Sequence, residues 1–141
     1  MSKGTIIKVS EVAPFTLPGE EGKYSSRMLI DRTNSDSERL QINHFTLHPG
    51  CSTSGGIHKV PYDEVYYVLS GKAVLHMDGK DYDIESDDIV FIPGGTFHSL
   101  DNKSNNEDFV ILAVWPLHPE KGVNEIYDMR IATWGKSYKT I

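Results

Sequence analysis

The sequence predicts an all-β fold, an antiparallel barrel, and three observations carry that prediction. Short apolar segments recur along the chain, punctuated by 12 glycines, 7 prolines and polar pairs. Long helical periodicity is absent. Asp78-Gly79 stands between two alternating segments, where both residues tolerate positive φ and so mark a tight hairpin. Together these indicate an antiparallel barrel rather than alternating strands and helices.

Taken in order, strands are expected at residues 5–9, 26–30, 40–47, 64–70, 72–77, 80–84, 88–92, 98–101 and 109–114. Ser70-Gly71 and Pro93-Gly94-Gly95 mark further tight turns. Residues 31–39 and 102–108 are polar loops. The tail is different. Residues 123–134 are a short helix or a closing strand, and Ile126, Tyr127, Met129, Ile131 and Trp134 need a surface to pack on. That surface is one end of the barrel or a second subunit; a lid over a substrate is the sharper alternative.

At 141 residues, with 38% of them hydrophobic, residues 1–141 fit one domain with one core. No apolar run approaches the ~20 residues that span a bilayer. The opening residues show no charged segment followed by an apolar one, so a cytoplasmic location is expected. A single cysteine, Cys51, permits no internal disulfide, which matches a reducing compartment. The net charge of −6, with no basic cluster, argues against a nucleic-acid or anionic-membrane partner.

Chemistry concentrates in two stretches. Strand alternation puts Glu64, Tyr66 and Val68 on one face, taken as inward, with His58 and Val60 just before them able to share it. Pro93-Gly94-Gly95-Thr96-Phe97-His98 delivers a second imidazole at the start of another strand. His58, Glu64 and His98 meeting inside a barrel make a divalent-metal site. Imidazole suits zinc, iron, copper and nickel, and the carboxylate suits harder ions such as manganese. A buried carboxylate demands a partner or a metal. Tyr66 is the inward group placed to move a proton or to bond a substrate. Phe97 would shape the pocket rim and Trp115 its wall. Arg27 and Arg130 carry the guanidinium forks that suit a carboxylate or phosphate, or else sit in surface ion pairs. His44 and His76 fall on the outward face by alternation; His48 and His118 read as turn and loop.

At these residues the chain resembles the cupins, a family of small jelly-roll barrels. Its first motif runs glycine, five residues, His-x-His, three or four residues, glutamate, six residues, glycine. His58, Glu64 and Gly71 match it. Its second runs Pro-x-Gly, two residues, histidine, three residues, asparagine, matched by Pro93, Gly95, His98 and Asn102. The resemblance spans about residues 27–116 and implies a jelly-roll barrel with a C-terminal extension at 117–141. It implies a divalent metal (iron, manganese, nickel or zinc) and a homodimer, to which Ile6-Ile7 and the tail would contribute.

The chain departs from the pattern. Val60 stands where the second histidine of the first motif belongs, and seven residues, not five, separate Gly50 from His58. Asp87 replaces the glycine that opens the second motif, a position Asp can fill. Three outcomes follow. The metal binds through His58, Glu64 and His98 with water completing the shell; or Cys51, His48 or Tyr62 supplies the missing ligand; or the pocket takes an organic molecule without metal. The leading expectation is a metal-binding protein acting on a sugar or short carboxylic acid, with Tyr62, Phe97, Trp115 and Arg27 touching it. A non-catalytic binding or sensor protein with a degraded metal site is the alternative.

Overall fold

The computed structural model describes residues 3–117 and 125–141. Nine strands form two antiparallel sheets. In chain order they are β1 (Tyr24–Ile30), β2 (Leu40–Leu47), β3 (Gly56–Ile57), β4 (Glu64–Ser70), β5 (Lys72–Met77), β6 (Lys80–Glu85), β7 (Ile89–Ile92), β8 (Phe97–Asp101) and β9 (Phe109–Pro116). One sheet has the order β1-β2-β9-β4-β7 and the other β3-β8-β5-β6. Leu47, Val68, Leu75, Ile92, Leu100, Phe109 and Ile111 are buried between them and form the core. The order, with sequence neighbours β4 and β5 divided between the sheets, is that of a jelly roll.

The turns are built as their residues require. Asp78 and Gly79 both take positive φ, 53° and 77°, the hairpin geometry that matches strand twist. Asp87 adopts φ 71°, so the aspartate does fill the left-handed position. Gly71 has φ 78°, and a Cβ there would collide with the carbonyl oxygen of Asp108. Asn102 is fully buried: its Nδ2 donates to the carbonyls of Leu47 and Glu107, both at 2.9 Å, and its Oδ1 accepts from Ser104 N–H at 3.0 Å. Gly71 and Asn102 thus pin loop 102–108 against the barrel from two sides.

One expectation needs correction, and one strand was not expected. No strand forms at 5–9; Val9–Glu11 is a single 3-10 turn, and Ile6 is 94% exposed. An apolar pair without further alternation offers too little buried area to hold an edge strand. The two-residue strand β3 lay below the reach of any periodicity.

The tail is helical: α1 covers Glu125–Trp134. Phe15 and Trp134 pack edge to face at 5.2 Å. After the helix the chain returns to the N-terminal segment, with Thr140 bridged to Val12 and Lys139 O accepting from Ala13 N–H at 2.7 Å. His118, expected in a loop, and positions 123 and 124 lie outside the described residues. No helix among the described residues is long and apolar enough to cross a membrane.

Candidate metal centre and cavity

Glu64 opens β4 facing inward and is 1% exposed. His98 is the second residue of β8 and is buried. His58 follows β3, and Gly95 N–H donates to its carbonyl at 2.7 Å, so the Pro93-Gly94-Gly95 turn that leads to His98 also fixes the backbone of His58. The three side chains offer ligand atoms that all lie within 4.8 Å of one another.

The electrostatics of the trio fit a cation. Glu64 Oε1 is 2.9 Å from His98 Nε2 and 3.3 Å from His58 Nε2. Neither approach has hydrogen-bond geometry, and both carboxylate oxygens are buried without a hydrogen-bond partner. His98 Nδ1 lies 3.0 Å from Thr96 O, which can only accept; the proton therefore sits on Nδ1 and leaves Nε2 free to ligate. Burial pushes the Glu64 pKa up, but the neighbouring His58 and His98 imidazoles outweigh it and hold the group ionised, below its ordinary value. Burial pulls His98 down, and Glu64 and the Thr96 carbonyl more than reverse this.

Beside the trio lies a cavity of about 360 Å³. Tyr66 and Trp115 line it as expected. Burial, then the adjacent Glu64 carboxylate, drives the Tyr66 phenol well above its ordinary pKa, so it stays protonated and keeps an O–H donor. Trp115 Nε1 donates to His58 Nε2 at 3.3 Å. Glu125 and Ile126 of α1 also line the cavity, so the tail contributes to its wall.

The cavity does not include Arg27, Tyr62 or Phe97. Ser26 and Asn43 point inward, so Arg27, one residue on, points outward; its Nε donates to Val12 O at 3.0 Å and it pairs in register with His44. Phe97 precedes the inward His98 and is 45% exposed. Tyr62 packs beside Gly94, behind the turn. Nor, among the described residues, does a substitute ligand join the trio. Cys51 packs at the edge of the core, and His48 Nδ1 contacts Asp108 Oδ1 at 3.0 Å on the surface. Val60 does not share the inward face: it lies in the turn after β3, 65% exposed. The longer approach to His58 ends in a turn that swings the next position out of the barrel.

Among the lining residues that the sequence did not single out, one is polar and buried on β2. Asn43 faces the cavity from β2, 3% exposed. Carrying the alternation of Leu47 and Phe45 back two residues would have found it.

A cupin-domain family model matches residues 43–115. An oxalate-binding protein of Thermotoga maritima is 31% identical over 115 residues, 79% of this chain and 93% of its own. The tetracenomycin polyketide synthase protein TcmJ of Streptomyces glaucescens is 26% identical over 121 residues, 85% of this chain and 77% of its own. Among solved structures, a predicted oxalate decarboxylase from Thermotoga maritima superposes with a TM-score of 0.70 at 28% identity, covering 81% of this chain and all of that one. The polyketide cyclase RemF of Streptomyces resistomycificus gives 0.71 at 20% identity over 93% and 94%, a likeness of fold.

Proposed function

The chain belongs to the cupin family, and on that footing we propose that it binds one divalent metal ion through His58, Glu64 and His98 and acts on a small oxygen-bearing molecule held beside it. The observation that carries this reading is Glu64: a carboxylate 1% exposed whose two oxygens have no hydrogen-bond partner, faced by two imidazoles. Such a group is expensive to bury without a cation. Iron, manganese, nickel and zinc all accept this donor set. A bound ion would supply Lewis acidity to a carbonyl or hydroxyl oxygen.

The chain's own residues do the rest. Tyr66 lines the cavity as a protonated phenol and offers the ligand a hydrogen-bonding group. Trp115, Phe45 and Ile111 give apolar walls that exclude water. Glu125 and Ile126 add a wall from the tail. The names of the relatives, an oxalate-binding protein and a polyketide synthase protein, favour a carboxylic acid or a hydroxylated carbonyl compound over a sugar.

The test is metal analysis of untagged protein. About one metal per chain is expected, before or after incubation with iron, manganese, nickel or zinc. A content well below one that none of the four ions raises overturns the proposal. A metal-free binding protein is the second reading, favoured by the Trp115 hydrogen bond that occupies His58 Nε2.

We also propose a cytoplasmic homodimer. Its support is the outer face of β4 and β7, where Val65 lies opposite Phe91 and Tyr67 opposite Ile89 in register. Ile89 is 71% and Phe91 59% exposed.

A further inference from the structure

Arg130 of α1 is 1% exposed, and its Nε and Nη2 have no partner. Its Nη1 donates to Asn43 Oδ1 at 3.3 Å. Burial lowers its pKa to about 10, and nearby Asp31 opposes the fall. Asp31 is itself engaged with Thr33 and Ser137. A guanidinium can only donate, so the atom of Asn43 that meets it must be the carbonyl oxygen. The amide Nδ2 is then left with two N–H groups, and no described residue accepts from them.

Asn43 is also a wall of the cavity, and the register shows where. Asn43 on β2 lies opposite Ala113 on β9, which lies opposite Tyr66 on β4. All three line the cavity. Asn43 and Tyr66 are therefore two strand spacings apart, about 10 Å between backbones, with the small Ala113 leaving room between them. Phe45 and Ile111 add apolar surface nearby.

We propose that Asn43, aligned from behind by Arg130, is a second anchoring point of the ligand, its Nδ2 donating to an acceptor oxygen at the end of the molecule remote from the metal. This rests on the metal reading above for the near end only. The ligand class follows: a chelating oxygen pair at one end, an apolar body over Ala113, and a carbonyl or carboxylate oxygen at the other. Asn43 is a binding residue here and Arg130 a positioning residue that acts through it.

The test uses two probes of equal size, 3,4-dihydroxyacetophenone and 4-ethylcatechol, titrated into manganese-loaded protein by calorimetry. They differ in one acceptor oxygen. The reading is the ratio of their affinities. Asn43→Asp keeps an acceptor for Arg130, so the fold and the metal content should hold, but removes the donor. The ratio should fall about fivefold, the effect of one hydrogen bond, through weaker ketone binding with 4-ethylcatechol unchanged. Arg130→Leu should give the same fall and Arg130→Lys, which can still donate to Asn43, should restore most of it. A ratio in Asn43→Asp equal to the parent's overturns the proposal. Metal content is measured separately: absence of metal defeats the metal reading alone. The same ratio is then taken on metal-free protein at millimolar probe, where an unchanged value in Asn43→Asp again overturns the second anchor.

Discussion

Trp115 and His58 compete with a metal for one lone pair: the indole N–H donates to His58 Nε2 across 3.3 Å, and that nitrogen is the one facing Glu64. A metal at the trio must displace the indole. Trp115→Phe removes the competitor while keeping an aromatic wall. It should tighten manganese or zinc binding about fivefold, the size of one neutral hydrogen bond. Titration of metal-free protein reads this. Weaker binding in the variant would mean that the indole holds His58 in a ligating pose instead.

Glu64→Gln should cost both with and without metal. Without metal, the substitution removes a charge that the His58 and His98 imidazoles hold ionised below its ordinary pKa, so the melting temperature should fall, by an amount on the order of 1 kcal/mol. With metal, it removes the only anionic ligand of the trio. Affinity should fall at least ~100-fold, and the thermal shift that metal gives the parent should vanish. A variant that unfolds without metal would show that Glu64 is held by contacts other than those seen.

Much of this was legible in the sequence because it rests on local rules. Glu64 and Tyr66 share a face by the two-residue period of a strand, and Asp78-Gly79 could hardly be anything but a hairpin. Arg27 failed for a physical reason. Both Met28 and Leu29 are buried where the register of β1 on β2 shifts between Met28 and Ile30, so burial along β1 breaks the strict two-residue period. Arg130 could be named as a cation of interest but not placed. Its partner Asn43 is 87 residues away, and only the docking of α1 brings them together.

Val60 carries the same lesson into a prediction. By motif alone, Val60→His restores a fourth ligand. By structure, position 60 is 65% exposed in a turn that leaves the barrel, outside the cavity. The variant should bind manganese and zinc within about twofold of the parent, because an imidazole there cannot reach the trio without rebuilding the turn. A gain of tenfold or more, worth 1.4 kcal/mol by the usual conversion, would mean that residues 58–62 rearrange when a metal binds.

Gly71 and Asn102 match the family motifs without touching the cavity, and stability is where they should act. Asn102→Ala deletes three hydrogen bonds from a fully buried site and orphans two carbonyls, for a loss of about 3 kcal/mol. Gly71→Ala meets both a positive φ and the Asp108 carbonyl, so a loss of 2 kcal/mol or more is expected, on the order of other strained backbone sites. Urea unfolding reads both. Metal affinity per folded molecule should stay at the parent's value, which separates these two residues from the trio.

The outer face of β4 and β7 gives the last prediction. Val65 and Phe91 form one cross-strand pair and Tyr67 and Ile89 the next, all on the face away from the core. Leu69 continues the patch at 41% exposed. β7 is also the edge of its sheet, with one side of its backbone unpaired. Apolar residues grouped on an edge invite another chain, whereas a monomer would blunt such an edge with charge. Light scattering at micromolar concentration should therefore give twice the chain mass of 15.8 kDa. Phe91→Glu should reduce it to one chain mass, since a carboxylate buried in an apolar contact loses its hydration. The cavity lies on the opposite face of β4, so the monomeric variant should keep its metal. A parent that scatters as a monomer would refute the dimer, and a variant that stays dimeric would move the contact away from this face.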